Sequence, residues 1–428
     1  MASLKVERSY QGSFEPIGRL ESSSAYDISF TYDEQYRTDS NAVPLSLSLP
    51  LAKSSYSIDE TLPFFEGLLP EGQALENLAY GLGISPLNIM DLLHAVGRET
   101  VGAIRIGFAD DFDLEQPAYI PLTEDDIEQL SDKSGVAAPL LLRRARLSLA
   151  GAQSKIGLYI QTGPDGEKTY YLPNGAAAST HIIKTGNDRY SDLVLNEYYC
   201  ISLARVCGLV VPEVEIIHTE RPMLALKRFD RSIRSNSPVI NGLPSPIRLH
   251  QEDFSQALGI NRVMKYEMGD SDYRQKVSAL IREHSASPLQ DIEALAMLGC
   301  FDFLIGNCDN HLKNISIIYS EDYRQICLAP FYDLISTTVY ELDRDMGMRI
   351  GSTRDIDQVD RQDFTLMCTS LGISRKRMLS LLDEMRERLS LAIAGDTTDE
   401  LFKSLGSKSQ VIKEIRQDAL KRISMVGK

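Results

Sequence analysis

Hydrophobic and polar positions change their rhythm twice along this chain. Near the start they alternate: Lys5 to Tyr10, Phe14 to Leu20 and Ala25 to Tyr32 read as short strands, the last with Ile28, Phe30 and Tyr32 on one face. Helical spacing follows. Thr61 to Leu69 is short with an apolar face, and Glu71 to Leu82 carries Leu75, Leu78 and Ala79. Ser85-Pro86 offers a cap and first turn to Leu87 to Val96, and Val101 to Phe108 returns to strand. Pro117 to Pro139, acidic and then small, is the natural boundary.

From Leu147 the alternation resumes. Leu147 to Ala152 leads into Lys155 to Gln161, Gly163 to Gly166 makes a hairpin tip, and Thr169 to Leu172 and Thr180 to Lys184 continue as strands. One helix, Asp192 to Cys207, is embedded before Gly208, and Val214 to His218 with Met223 to Phe229 reads as another hairpin. After Gln251 the pattern is almost wholly helical: Glu252 to Leu258, Tyr273 to Glu283, Leu289 to Ile305, Asp363 to Leu371, Ser374 to Ala394 and Thr397 to Met425. The expected fold is α+β, with an α/β N-terminal subdomain over 1–135. A part over 140–428 follows, with a small β-rich lobe (140–248) and a large α-helical lobe (249–428). That bilobal plan is the plan of protein kinases.

Composition narrows the class. A chain of 428 residues can bury two or three full cores, and 43% hydrophobic with 25% charged residues is the balance of a globular protein. No apolar run approaches the ~20 residues of a membrane helix, and the N-terminus lacks a charged-then-apolar leader. The expected location is the cytoplasm. Six cysteines form no C-x-x-C pair, so buried thiols in a reducing compartment are expected rather than a zinc site. The net charge of -15 argues against a large general nucleic-acid face, although Arg143-Arg144-Ala145-Arg146 is a local basic run.

The chemistry concentrates between Gly306 and Asp333. Asp309 and Asn314 stand at the D-x-x-x-x-N spacing of a kinase catalytic loop, with Lys313 between them and Asp333 where a kinase has its metal-binding carboxylate. Asp309 would take the acceptor proton, Lys313 would neutralise moving charge, and Asn314 and Asp333 would supply the one or two oxygens that Mg²⁺ takes from a protein. Read blandly, the same run is a polar loop of Asx-turns. It also departs from the kinase pattern: Cys308 precedes Asp309 where kinases carry Arg, and Leu334 follows Asp333. Ser148 to Lys155 is a turn of small residues fit for backbone approach to phosphate oxygens, or simply structural. Lys184 ends an apolar strand, as does the kinase lysine that grips ATP phosphates, and Glu197 is the carboxylate to hold it. Lys227 and Phe229 lie where backbone groups of a hinge would bind adenine. The residues alone leave open a protein kinase, a kinase-like binding module and a small-molecule phosphotransferase.

Taken together, these segments resemble the HipA family of bacterial serine/threonine-protein kinase toxins over nearly the whole chain. The resemblance rests on Pro44 to Leu51, Phe65 to Gly72, Gly97 to Ala103, Ser148 to Lys155, His181 to Lys184, Lys227 to Arg231, His250 to Gly259, Asp309 to Asn314 and Pro330 to Asp333. It implies a full-length toxin that uses ATP and Mg²⁺, with Asp309 catalytic, Asn314 and Asp333 on the metal and Lys184 on ATP. It also implies that Ala150, Gly151, Ala152, Gln153, Ser154 and Lys155 cover the nucleotide phosphates, and that Ser148 is an autophosphorylated serine whose modification silences the enzyme. Arg143, Arg144 and Arg146 would hold the segment that this modification expels. The implied partners are a helix-turn-helix antitoxin of the HipB kind and, through it, operator DNA. The implied substrate is an aminoacyl-tRNA synthetase such as that for glutamate, whose inhibition would lead to dormancy and persistence.

Overall fold

The early alternation becomes an antiparallel sheet of β1 (Ala2–Tyr10), β2 (Ser13–Ser24), β3 (Asp27–Tyr32), β4 (Ser55–Tyr56) and β5 (Ile104–Gly107), in the order β4-β3-β2-β1-β5. The computed structural model describes residues 2–24, 27–114, 116–131, 155–186, 189–395 and 409–427. The chain divides into two compact units. The first comprises Met1–Thr185, Ile216–Arg262 and Ile318–Gln325; the second comprises Gly186–Glu215, Val263–Ile317 and Ile326–Lys428.

In the first unit, the inward faces of β1 to β3 bury Leu4, Val6, Ile17, Leu20, Ile28 and Phe30 against Phe64, Phe65, Leu75, Leu92 and Leu93 of three helices. Each such side chain contributes roughly 1.5–3 kcal/mol of burial. The helices are Ile58–Glu66, Gly72–Leu82 and Ile89–Val96. The first opens with a capping box of Ser57 and Glu60. The third corrects the sequence expectation: Asn88, not Ser85, is its cap, accepting from the Asp91 N–H. Ser85 instead closes a turn, its carbonyl accepting from the Asn88 N–H at 2.9 Å.

A second sheet holds β6 (Ala118–Pro121), β7 (Lys155–Thr162), β8 (Lys168–Asn174), β9 (His181–Lys184), β10 (Val214–Ile217) and β11 (Met223–Lys227), in the order β10-β11-β9-β7-β8-β6. Its edge strand β6 comes from the stretch expected to be a boundary. Pro117 and Pro121 bracket it, which suits an edge that needs few ladder donors. Tyr119 anchors it, its hydroxyl donating to the Ala178 carbonyl at 2.8 Å. The rest of the expected boundary holds a helix, Glu124–Ser131, and then passes outside the described residues.

Two of the segments that carried the resemblance meet inside this unit. Glu99 accepts from Arg228 at 3.0 Å, Arg231 at 3.1 Å and Arg248 at 2.6 Å. Asp230 accepts from Arg228 at 2.6 Å, Arg231 at 2.9 Å and the Gly102 N–H at 2.7 Å. All five side chains are buried. A cluster of charges this dry holds only because each carboxylate faces guanidiniums. It fastens the Gly97 to Ala103 segment to the end of β11.

The second unit is helical: Leu193–Val206, Tyr273–His284, Pro288–Ile305, Arg361–Leu371, Arg375–Ala394 and Gln410–Met425. Pro288–Ile305 is apolar on nearly all sides from Leu295 onward and is therefore central, packed by Tyr273–His284, Arg375–Ala394 and Gln410–Met425. The expected helix from Thr397 begins in the described residues at Gln410; 396–408 lie outside them. The embedded helix Leu193–Val206 packs on Arg375–Ala394 and Gln410–Met425, so it belongs with the helical unit and not with the strands around it in sequence. A hairpin of Asp345–Ile350 and Thr353–Asp355 was not expected from the pattern. Among the described residues no helix is long and apolar enough to cross a membrane.

Candidate active site

The central helix delivers the chain to the polar loop and stops there. Gly306 ends it at φ 74°, a left-handed conformation that favours glycine, and a Cβ at this position would run into Thr338 Oγ1. The Gly306 carbonyl then accepts from the Thr337 N–H at 2.9 Å and the Thr338 N–H at 3.1 Å, while Thr337 Oγ1 accepts from the Cys308 N–H at 2.8 Å. The loop entrance is thus stapled to the segment that follows Asp333.

Asp309 and Asn314 are brought together. Asn314 Nδ2 donates to the Asp309 carbonyl at 2.8 Å, closing the turn Leu312–Asn314 and leaving Oδ1 as the amide atom able to accept or to ligate. Asp309 N–H donates to Asn307 Oδ1 at 3.0 Å, and Asp309 Oδ1 accepts from the Tyr266 hydroxyl at 2.7 Å. Lys313 is buried in the same turn. Cys308 is buried too, its thiol pushed up by that burial, and it serves as packing beneath the loop.

Asp333 follows a residue tied to this loop. The Tyr332 hydroxyl donates to the Lys313 carbonyl at 2.9 Å and so accepts from Ser316 Oγ at 2.5 Å. Asp333 itself has φ 54°, an uncommon conformation for a residue with a Cβ. Strain of this kind costs about 1–3 kcal/mol and persists where surroundings impose it, often at functional sites. An Asn Oδ1 and an Asp carboxylate are oxygen donors of the kind that Mg²⁺ takes one or two of from a protein, so Asn314 and Asp333 fit that metal by their chemistry. Among the described residues no group of three or more His, Cys, Asp or Glu could hold a metal ion as a closed cage.

Sequence reasoning passed over Asp302. It lies buried on the central helix, where Oδ1 accepts from Asn307 Nδ2 at 2.9 Å and Oδ2 accepts from Asn310 Nδ2. Burial pushes its carboxyl up to about 7, against the opposing pull of Asn310, Arg274 and Asn307. The signal was a lone acid inside the run Leu295 to Ile305. Asp302→Ala is expected to cost about 1–3 kcal/mol by stranding two amides, measured by urea unfolding, and to slow phosphorylation by loosening the loop. The folded group binds its proton more tightly than an unfolded aspartate, so the stability margin of the wild type over this variant shrinks as pH rises from about 4 through about 7.

In the first unit, Lys184 ends β9 almost fully buried, directly opposite Lys155 on β7 and Leu224 on β11. Like charges directly opposite across a strand pair repel. Lys227 is exposed at the end of β11 opposite His181, and Phe229 is half-buried just beyond it, next to the charge cluster of Arg228 and Asp230. Glu197 is buried on Leu193–Val206 in the second unit. Arg143, Arg144, Arg146, Ser148, Ala150, Gly151, Ala152, Gln153 and Ser154 lie outside the described residues.

Comparison with known proteins adds to this geometry. Residues 12–107 match the HipA N-terminal domain and residues 147–393 the HipA-like C-terminal domain. The putative kinase Y4mE of Sinorhizobium fredii is 35% identical over 398 residues, covering 90% of each chain. The serine/threonine-protein kinase toxin HipA of Shewanella oneidensis is 29% identical over 399 residues, covering 88% of this chain and 86% of that one. The solved structure of the Shewanella oneidensis HipA, HipB and operator DNA complex matches with a TM-score of 0.79 and 25% identity over 99% of this chain and 97% of that chain.

Proposed function

The chain belongs to the HipA family of serine/threonine-protein kinases, and from that premise we propose that it is the toxin of a type II toxin–antitoxin system. The observation that carries the catalytic part is the closed Asp309–Asn314 turn with Tyr332 fastened to it. In this reading Asp309 accepts the proton of a Ser or Thr hydroxyl as its oxygen bonds to the γ-phosphorus of ATP and the bond to the β-phosphate oxygen breaks, releasing ADP. Asn314 Oδ1 and Asp333 would hold Mg²⁺, which when bound would neutralise phosphate charge. Lys313 stands beside the transferred group. Lys184 and Lys155 hold ATP phosphates, with Ala150 to Ser154 over them, Lys227 and Phe229 serve adenine, and Glu197 is the carboxylate partner proposed for Lys184.

The partner we propose is a small helix-turn-helix antitoxin, since the Shewanella oneidensis HipA is solved with HipB and operator DNA. With it the chain would co-repress its own operon. The protein substrate we propose is an aminoacyl-tRNA synthetase such as that for glutamate, its modification leading to growth arrest and persistence. Ser148 is the proposed self-modified residue. A phosphate there adds roughly −1.5 to −2 charge beside a loop meant for other phosphates.

Incubating the full chain with γ-labelled ATP and Mg²⁺, alone and with bacterial lysate, tests these assignments. The expected result is label on a lysate protein and on the peptide containing Ser148. A phosphopeptide map without Ser148 removes the self-silencing assignment. Label on small metabolites alone makes the chain a small-molecule phosphotransferase, and no label at all makes it a kinase-like binding module.

A further inference from the structure

The last helix of the described residues, Gln410–Met425, reaches the polar loop through two charged side chains that phosphoryl transfer has not yet used. Arg422 is fully buried, and its guanidinium lies over the Phe303 ring, 5.6 Å from the centroid. It donates from Nε to Asp418 Oδ2 at 2.8 Å, from Nη1 to the Ile356 carbonyl at 3.2 Å and from Nη2 to Asp357 Oδ1 at 3.1 Å. Asp418 Oδ2, braced in this way, also accepts from the Thr338 hydroxyl at 2.7 Å.

Thr338 is engaged at every polar group. Its N–H donates to the Gly306 carbonyl at 3.1 Å, and its carbonyl accepts from Arg344 Nη1 at 3.0 Å. Arg344 turns back to the same acid that Arg422 meets, donating to Asp357 from Nε at 2.9 Å and from Nη2 at 3.0 Å. Thr338, Asp418, Arg422, Asp357 and Arg344 thus close a ring. A Cβ on Gly306 would stand 2.9 Å from Asp418 Oδ2, so the end of the central helix packs directly on that ring. Gly306 lies three residues before Asp309, and Thr338 five residues after Asp333. The ring therefore joins the entrance of the loop to the segment that leaves Asp333.

A buried ion pair is a weak source of stability, since apolar residues of similar volume often do as well or better. Directional bonds from one residue to several fixed partners, by contrast, hold the chain in one placement. Resting on the kinase reading above, we propose that Asp418 is a positioning residue for phosphate transfer. Braced by Arg422, it grips Thr338 and so sets the Asp309 loop against the Asp333 segment. It acts through Thr338 and Gly306 and not on the reacting atoms. A misplacement of about 1 Å at reacting groups can cost about 10²-fold in rate, so losing this grip shows in transfer before it shows in folding.

Label transfer from γ-labelled ATP to bacterial lysate, followed across ATP concentrations with Mg²⁺ and well below each variant's unfolding midpoint, tests the role. Thr338→Val keeps the shape of the side chain and removes its hydroxyl. It should lower kcat about tenfold, leave the KM for ATP within about threefold and move the unfolding midpoint by less than about 4 °C. Thr338→Ser keeps a hydroxyl to donate and should stay within about threefold of the wild-type kcat. Asp418→Ala should lower kcat about as much as Thr338→Val, and combining the two should cost no more than about twofold further, because both remove one interaction. Thr338→Val at the wild-type kcat, Thr338→Ser as slow as Thr338→Val, or losses that multiply in the double variant would each overturn the positioning role and leave the kinase reading intact. If Asp418→Ala does not fold, the two Thr338 variants decide by themselves. A wild type that transfers no label overturns both readings.

Discussion

Asp309→Asn is expected to reduce phosphate transfer to protein by about 10²–10⁴-fold, the usual worth of a positioned general base. The substitution is close to isosteric, and its amide oxygen can still accept from the Tyr266 hydroxyl that now bonds Oδ1. The backbone of residue 309, which accepts from Asn314 and donates to Asn307, is untouched. The loop should therefore keep its shape, and thermal unfolding should stay within about 1 kcal/mol of the wild type, as expected for a near-isosteric change that keeps these bonds. Retained ATP binding with lost transfer, read by nucleotide-dependent thermal shift beside the labelling assay, separates a lost base from a lost fold. Transfer within threefold of the wild type would remove Asp309 from the role assigned to it.

That loop was legible because its chemistry is local. An Asp and an Asn five positions apart, after an apolar helix and a glycine, read directly from the chain, and the structure closes them into one hydrogen-bonded turn. The N-terminal strands and most of the later helices were legible for the same reason, since periods of two and 3.6 are written residue by residue. What escaped depended on distant partners. Asp302 looked like a stray acid in a core helix until Asn307 and Asn310 arrived to meet it. Strand β6 had proline at both ends and four residues to show, so its strand character comes from the β8 edge it pairs with. The roles of Arg228 and Asp230 were hidden in the same way. As sequence, Lys227 to Arg231 read as a hinge of alternating charge. In space, Arg228 and Asp230 turn into the interior to meet Glu99 and Gly102, about 130 residues earlier.

That last pairing predicts the largest effect on stability. Glu99→Gln is expected to destabilise the first unit by roughly 3–5 kcal/mol, the cost of breaking a buried ion pair from one side. Arg228, Arg231 and Arg248 would then share the interior with Asp230 as the remaining carboxylate of this cluster. Burial alone would push the Glu99 carboxyl up, but Arg248, Arg231 and Arg228 together outweigh it and hold the group down at about 2. An unfolded glutamate titrates near 4.3. The folded state therefore binds the Glu99 proton more weakly, so this stabilisation is fully present above about pH 4.3 and is lost as pH falls through about 2. The gap between wild type and Glu99→Gln in urea unfolding should accordingly be wide at pH 7 and close toward pH 2. The arginines lie in the stretch matched by the HipA-like C-terminal domain and Glu99 in that matched by the HipA N-terminal domain. The two stretches thus share one buried charge cluster, and residues 1–114, which keep the whole first sheet, should fail to reach a cooperative folded state when produced alone. A fragment 1–114 that unfolds cooperatively, or a Glu99→Gln protein within 1 kcal/mol of the wild type at pH 7, would show that the cluster is not what binds these two stretches into one fold.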